Sequence, residues 1–380
     1  MFDFAIDAED QAILDTVDRM MARHLPPEKI RECDAAHQPP LFMRPIMADA
    51  GLFALAIPEQ YGGLGRDWRT VALVKERLAY RGELGGIFGV TVSFGIASLL
   101  AYGSEAQKRS LLPAIAAGHA AFALALTEPG AGSDAGAITT RAQRCDEGWR
   151  VNGAKIWISN ADWSEYLVTA CRTEAGSTGP RGVSMLLIPR DTPGLAITRM
   201  SKLGHHAMST CEIGLQDVIV PADALMGEEG QGFANLMTTL KFGRSLQAAG
   251  AVGLGQAAVD IAVAHAQQRV QFGRPIGKFQ AIQHRIADMQ IRVDQARLMV
   301  QHLSWLIATN AECRRQAAQT KLVASEMLWD VSDLGMRVLA SAGYDDENPM
   351  QRIWRDSRLL VFGEGTNDIQ RNIIAKELGL

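Results

Sequence analysis

Glu364 stands between Gly363 and Gly365, just ahead of Thr366 and a helical pattern that begins near Asn367. Glycine weakens a helix and lets a ligand or another stretch of backbone come close. A lone Glu at a helix start can serve the helix dipole. Glycine on both sides argues against a purely structural role. A carboxylate in an apolar pocket holds its proton more tightly and becomes a better base. Val361 and Phe362 are expected to supply those surroundings.

Three further segments carry groups that could face a ligand. Thr127-Glu128-Pro129-Gly130-Ala131-Gly132-Ser133-Asp134-Ala135-Gly136 is Gly-rich and follows a strand-like run. A dinucleotide fingerprint needs a helix after its glycines; here a strand pattern follows. That leaves a plain turn, or a loop whose bare N–H groups and hydroxyls (Thr127, Ser133) meet a ligand. Trp157 and Ser159 lie two apart on a strand and so share a face. They can stack on and bond to a flat cofactor, or be a core Trp with an incidental Ser. Arg269, in the segment Arg269 to Ile276, closes a long helix; it either complements the dipole or grips a phosphate. Taken together with Glu364, these segments suggest a carboxylate base beside a planar cofactor.

Two other clusters read differently. Arg352, Arg355, Asp356 and Arg358 form a helical charge cluster, expected to be an interhelical salt-bridge set. His205-His206 is expected in a strand, where neighbours point to opposite faces, with no Cys or acid at ligand spacing. No metal is expected.

The elements that must position these groups change character along the chain. Glu9 to Met21 puts Ile13, Leu14, Val17 and Met21 on one helical face. Helical periodicity resumes over Val71 to Tyr80, with a last helix from Glu105 to Pro113. From about Phe122 the period becomes two, and short strands separated by Gly and Pro turns suggest a barrel or sandwich. Asn152-Gly153 reads as a hairpin turn. From about Gly232 the pattern is helical again, with three long helices and a C-terminal one near Asn367.

At 380 residues the chain has room for two or three domains. A net charge of −4 without runs of like charge gives no case for nucleic acid. Cys33, Cys145, Cys171, Cys211 and Cys313 are scattered and read as reduced thiols. Leu84 to Ser104 is uncharged and long enough to span a bilayer, but its glycines and hydroxyls favour packing inside a helical domain. Met1-Phe2-Asp3-Phe4 offers no secretory signal, so a cytoplasmic location is expected.

In this order, the motifs resemble those of the acyl-CoA dehydrogenase family over nearly the whole chain. The marks are Leu126 to Asp134, Asn152 to Asn160, Lys202-Leu203-Gly204, Asp217 to Pro221, Arg269 to Ile276, Arg355-Asp356 and Glu364-Gly365-Thr366. The resemblance implies an N-terminal helical domain over 1–121, a middle β-barrel over 122–231 and a C-terminal four-helix bundle over 232–380. It also implies non-covalent FAD and a homotetramer built as a dimer of dimers. Leu124, Leu126, Thr127, Gly132, Ser133, Trp157 and Ser159 match positions that hold the flavin or the pantetheine arm. Arg269, Gln271 and Phe272 match positions that reach the FAD of a neighbouring subunit, and Thr366 matches another flavin contact. Ser133, Arg244, Glu364 and Gly365 match substrate positions, Arg244 toward CoA.

The implied reaction is α,β-dehydrogenation of an acyl-CoA thioester to the trans-2-enoyl-CoA. Glu364 takes the pro-R α-proton, and the β-hydrogen leaves as hydride to flavin N5. The thioester oxygen is held by the Glu364 N–H and a ribityl hydroxyl. Electron-transferring flavoprotein is the implied acceptor. Some members place the base immediately before the position of Arg244; here that residue is Gly243, consistent with Glu364 as the base.

The chain departs from the family at Arg337 (often Gln), Ala340-Ser341 (often Gly-Gly), Lys241 (often an acid) and His206 (often Arg). Asn348 to Arg352 resembles a desulfinase pattern, but that branch lacks the catalytic Glu. The competing readings are a flavin oxidase or C–S lyase on the same scaffold, and an inactive flavoprotein binding module. Residues 85–100 and 240–250 are expected to set pocket depth. No Arg lies at 85–100 (Arg81 is just outside), which counts against a dicarboxylyl substrate.

Overall fold

The computed structural model describes residues 5–380; the signal reading on Met1-Phe2-Asp3-Phe4 lies outside the described residues. The first helices are Ala8–His24 (α1), Pro27–Ala35 (α2), Met43–Asp49 (α3), Trp68–Tyr80 (α4), Ile87–Val90 (α5), Ala97–Tyr102 (α6) and Glu105–Ala116 (α7). A π-helical turn, Thr91–Ile96, joins α5 to α6. Local chemistry starts these elements. Asp7 Oδ1 accepts the Asp10 N–H at 2.7 Å to cap α1, and Ser104 and Gln107 form a reciprocal capping box on α7. The uncharged Leu84 to Ser104 stretch packs inside this region, with Ile87, Phe88, Val92, Ile96 and Leu99 all buried.

Strands Phe122–Ala125 (β1), Arg141–Cys145 (β2), Gly148–Ser159 (β3), Tyr166–Arg172 (β4), Val183–Pro189 (β5), Leu195–Arg199 (β6), Thr210–Val220 (β7) and Leu225–Met226 (β8) form one sheet. Its order is β6-β7-β3-β2-β4-β5-β8, with β1 parallel to β4. Trp149, Val151, Ile158, Leu167, Leu186 and Ile213 form its core. The hairpin expected at Asn152-Gly153 is absent, because β3 runs straight through it. Asn152 Nδ2 donates to Asp217 Oδ1 at 3.1 Å, and Asn152 Oδ1 accepts the Asp217 N–H at 2.8 Å. Gly153, at φ 153°, presses on Thr140, and the register with β7 shifts there. The pair makes a bulge instead of a turn.

The C-terminal part contains Gly232–Gln268 (α8), a small hairpin of Val270–Gln271 (β9) and Arg274–Pro275 (β10), then Gln280–Ala308 (α9), Arg314–Leu339 (α10), Pro349–Leu360 (α11) and Asn367–Glu377 (α12). α8 is apolar and long enough to cross a membrane by length and composition, yet 61% of its most apolar window is buried inside the protein. Its glycines set close approaches. A Cβ on Gly253 would stand 2.8 Å from Tyr80 N, and one on Gly255 2.9 Å from Met327 Sδ.

The charge cluster is part of a full helix, α11, capped by Asn348 with Pro349 in its first turn. It ties regions together. Arg355 pairs with Asp34 of α2 at 2.6 Å, and Asp356 Oδ1 accepts the His205 N–H at 2.6 Å. Arg358 lies over the Trp329 ring at 3.5 Å. His205-His206 is not in a strand. It sits in the loop between β6 and β7, with His206 stacked on His37 at 4.0 Å.

Candidate active site

Glu364 occupies a left-handed turn at φ 57°, ahead of α12, whose first turn is capped by Thr366 Oγ1 through the Ile369 N–H at 3.3 Å. A side chain rarely adopts that backbone without a reason. Here the turn drives the carboxylate into the space above Gly243. A Cβ on Gly243 would stand 2.6 Å from Glu364 Cδ. The absent side chain of Gly243 is the room that the Glu364 carboxylate fills, so only one of these positions can carry an acid. Gly363 has its own reason: a Cβ there would stand 2.8 Å from Gln247 Nε2.

The turn is pinned from three helices. From α8, Arg244 Nε donates to the Glu364 carbonyl at 3.4 Å. From α12, Gln370 Nε2 donates to the Glu364 and Gly365 carbonyls at 3.2 and 2.9 Å. From α10, Lys321 Nζ donates to the Gly365 carbonyl at 2.9 Å and to Asn367 Oδ1 at 2.8 Å. Lys321 was not foreseen from the sequence; nothing but its apolar helical neighbours marks it there, and its partners lie more than forty residues away. The Glu364 N–H takes no backbone acceptor among the described residues.

Part of Glu364 reaches the surface, but its Oε2 is enclosed and has no partner. Burial pushes its pKa up to about 7, against the pull of Arg244 and Lys321. Burial brings the Lys321 ammonium down to about 8, opposed by the Glu364 charge. Phe362 does not wall the base as expected: it is 62% exposed.

A second group of expected residues gathers at β1, the Gly-rich loop and β3. The Ile156 N–H donates to the Thr127 carbonyl at 2.9 Å, which sets Thr127 beside Trp157. Beneath the loop, Glu128 accepts the Thr139 and Thr140 N–H groups at 2.6 and 2.9 Å and Lys155 Nζ at 2.9 Å. Lys155 Nζ also donates to the Leu126 carbonyl at 3.0 Å. Burial alone would raise the Glu128 pKa, but Lys155 and the hydroxyl and N–H donors hold it at about 2. This buried pair, missed from the sequence, fixes the loop. Above it, a Cβ on Gly130 or Gly132 would meet nothing within 4 Å.

Trp157 is 56% exposed, with Ile158 buried and Ser159 half-buried. The shared face is not that of a regular pleat, however: Trp157 takes φ 62° and the register with β7 shifts beside it. No hydrogen bond among the described residues joins this group to the Glu364 turn.

Arg269, Gln271 and Phe272 form a third group. They lie at the far end of α8, about 40 Å along its axis from Gly243 at 1.5 Å per residue, and Phe272 is 93% exposed. At the end of α10, Met336, Ala340, Ser341, Tyr344 and Asp345 line a hollow of about 520 Å³. Ala340 holds φ 52°, ψ −132°, a backbone that suits glycine.

The exposed indole, the open glycine loop and the enclosed unpartnered carboxylate are what a flat cofactor and a thioester would cover. Helical, sheet and helical regions with such a site define a class of flavin-dependent dehydrogenases. The chain matches the descriptions Acyl-CoA dehydrogenase, N-terminal domain over residues 7–119, middle domain over 123–218 and C-terminal domain over 230–379. It is 38% identical over 377 residues to the probable acyl-CoA dehydrogenase YngJ of Bacillus subtilis, covering 99% of each chain. It superposes on butyryl-CoA dehydrogenase from Megasphaera elsdenii with a TM-score of 0.96 and 31% identity over 100% of both chains. A chain in the structure of the electron transferring flavoprotein of Acidaminococcus fermentans gives a TM-score of 0.95 at 32% identity, covering 99% of both. The chain belongs to the acyl-CoA dehydrogenase family and is an oxidoreductase of that family's three-domain fold.

Proposed function

We propose that this enzyme removes the α-proton and β-hydrogen of an acyl-CoA thioester with FAD bound, giving the trans-2-enoyl-CoA, and that Glu364 is its base. The observation that carries this reading is the Glu364 carboxylate, enclosed over Gly243 with one oxygen unpartnered and a pKa of about 7. A base near neutrality combines sufficient ionisation with proton affinity.

The thioester lies with its α-carbon against Glu364 and its oxygen on the Glu364 N–H. That donor stabilises negative charge as it develops on the oxygen. Leu124, Leu126, Thr127, Gly132, Ser133, Trp157, Ser159 and Thr366 hold and orient the flavin and the pantetheine arm. Ser133, Arg244 and Gly365 complete the substrate's contacts. FAD, when bound, supplies the two-electron acceptor for the β-hydrogen.

Arg269, Gln271 and Phe272 are too far along α8 to serve the site of their own chain. They serve a second copy, in a dimer of dimers. Electron-transferring flavoprotein reoxidises the enzyme.

The test is anaerobic addition of butyryl-CoA to the FAD-loaded protein. Bleaching of the flavin, with enoyl-CoA recovered in equal amount, is the expected result. Release of another group without bleaching would favour the lyase, and rapid turnover with oxygen as sole acceptor the oxidase. Unchanged spectra across an acyl-CoA series would overturn the reading.

A further inference from the structure

The face of α8 that meets the base continues inward. Gly243, Gln247 and Gly250 lie on one side of the helix, spaced four and three residues apart. Glu364 fills the space over Gly243, and Gln247 Nε2 lies against Gly363. At the next level, Lys75 Cε stands 3.1 Å from where a Gly250 Cβ would be, and 3.7 Å from the corresponding point at Gly89 of α5. Seven residues of helix separate the two ends, about 10 Å at 1.5 Å per residue. An acyl chain with its α-carbon at Glu364 and its CoA in solvent must run inward, and this is the face it would follow.

What closes that end is not apolar. Lys75 pairs with Glu83, and their side chains are only 13% and 3% exposed. Glu83 Oε2 takes the ammonium, while Glu83 Oε1 is buried with no partner. Thr91 Oγ1, on the π turn, and Gln247 Oε1 are likewise buried and unpartnered. Buried acceptors without donors are uncommon in folded proteins because they forfeit their hydration. Glu83 lies in the turn between α4 and α5, Thr91 on the π turn that packs against α8, and Gln247 on α8 itself.

Charge narrows what would complete them. A bare alkyl end would cover Glu83 Oε1 without satisfying it. A carboxylate end would add an anion beside an ion pair that is already neutral. An ammonium end would face Lys75. A neutral hydroxyl or amide N–H donates to Glu83 Oε1 without adding charge.

We propose that this enzyme's acyl pocket is built for a chain with a neutral hydrogen-bond donor, a hydroxyl or an amide, at its distal end. Glu83 recognises that donor, and Lys75 is the counter-ion that holds Glu83 in place. The assignment rests on the acyl-CoA dehydrogenase reading and names its substrate class.

The experiment compares flavin reduction by butanoyl-, hexanoyl- and octanoyl-CoA with their terminally hydroxylated and terminally amidated forms, and with adipoyl-CoA. At one chain length a hydroxylated or amidated form is expected to exceed its parent in kcat/KM by about 10-fold or more, since a site that hydrogen-bonds a polar group discriminates against the analogue lacking it. Which of the two wins identifies the donor. Plain alkyl chains that match or exceed their polar forms at every length, or adipoyl-CoA as the best substrate, would overturn the proposal while leaving the dehydrogenase reading intact. If nothing in the series reduces the flavin, the dehydrogenase reading itself falls. The double variant Lys75→Met/Glu83→Leu replaces the buried pair with apolar groups of similar size, a change that cores tolerate. It is expected to retain flavin and to reverse the preference toward alkyl chains. A flavin-loaded double variant that keeps the polar preference would contradict the role of Glu83. The wild-type comparison stands without it if the variant does not fold.

Discussion

Glu364 must give up its proton before it can accept another. Burial holds its pKa at about 7, so well below neutrality most of the enzyme carries a protonated base. Because kcat/KM reports the free enzyme, it should climb as pH rises, with its half-point near 7. Lys321 and Arg244 oppose the shift. Removing the Lys321 charge therefore lets the Glu364 pKa rise further. In Lys321→Met the ascending limb should move to higher pH, and Lys321→Arg should keep it near the wild-type position. An unmoved limb in Lys321→Met, with flavin still bound, would make Lys321 a structural tether alone. At this scale Glu364 was readable because glycines flank it in the chain. Lys321 and Gln247 were not, because their meaning lies in residues that only folding brings to them.

Helices and strands were legible where their own periodicity decides them. Tyr166–Arg172 follows from a short, mainly apolar run, buried from Leu167 to Cys171, and the long helices from sustained helical pattern. Asn152-Gly153 misled because its turn chemistry is spent on a bulge against Asp217 and Thr140, partners remote in the chain. α11 was read as a helical charge cluster in an interhelical salt-bridge set, and its Arg355 does pair with Asp34 of α2. The end of α10 shows a local conflict in the opposite sense. Ala340 keeps a backbone suited to glycine, and the strain is local. Ala340→Gly should stabilise the protein by about 1 kcal/mol, read as a higher denaturation midpoint with flavin content unchanged. A lower midpoint would mean that the Ala340 methyl packs usefully enough to outweigh the backbone.

At the scale of the whole molecule, the order helix, sheet, helix was legible because the hydrophobic period changes near Phe122 and again near Gly232. The site was legible in part. Its pieces and their grouping were named through the family resemblance, but the contacts that hold them in place were not. Folding brings Arg244, Gly243 and Glu364 together, and Thr127 with Trp157, while it sends Arg269 and Phe272 to the far end of α8. The polar end formed by Lys75 and Glu83 had no signature at all, being made from α4 and the turn after it against two glycines of other helices.

The central claim is that Glu364 takes the α-proton. It is tested most directly by stopped-flow flavin reduction in Glu364→Gln, loaded with FAD and mixed anaerobically with the best acyl-CoA. The amide keeps the shape of the side chain and removes its basicity. Flavin should remain bound, acyl-CoA should still perturb its spectrum, and the rate of bleaching should fall by about 10³-fold or more, within or beyond the usual worth of a general base. Bleaching at close to the wild-type rate would place the base elsewhere and contradict the account.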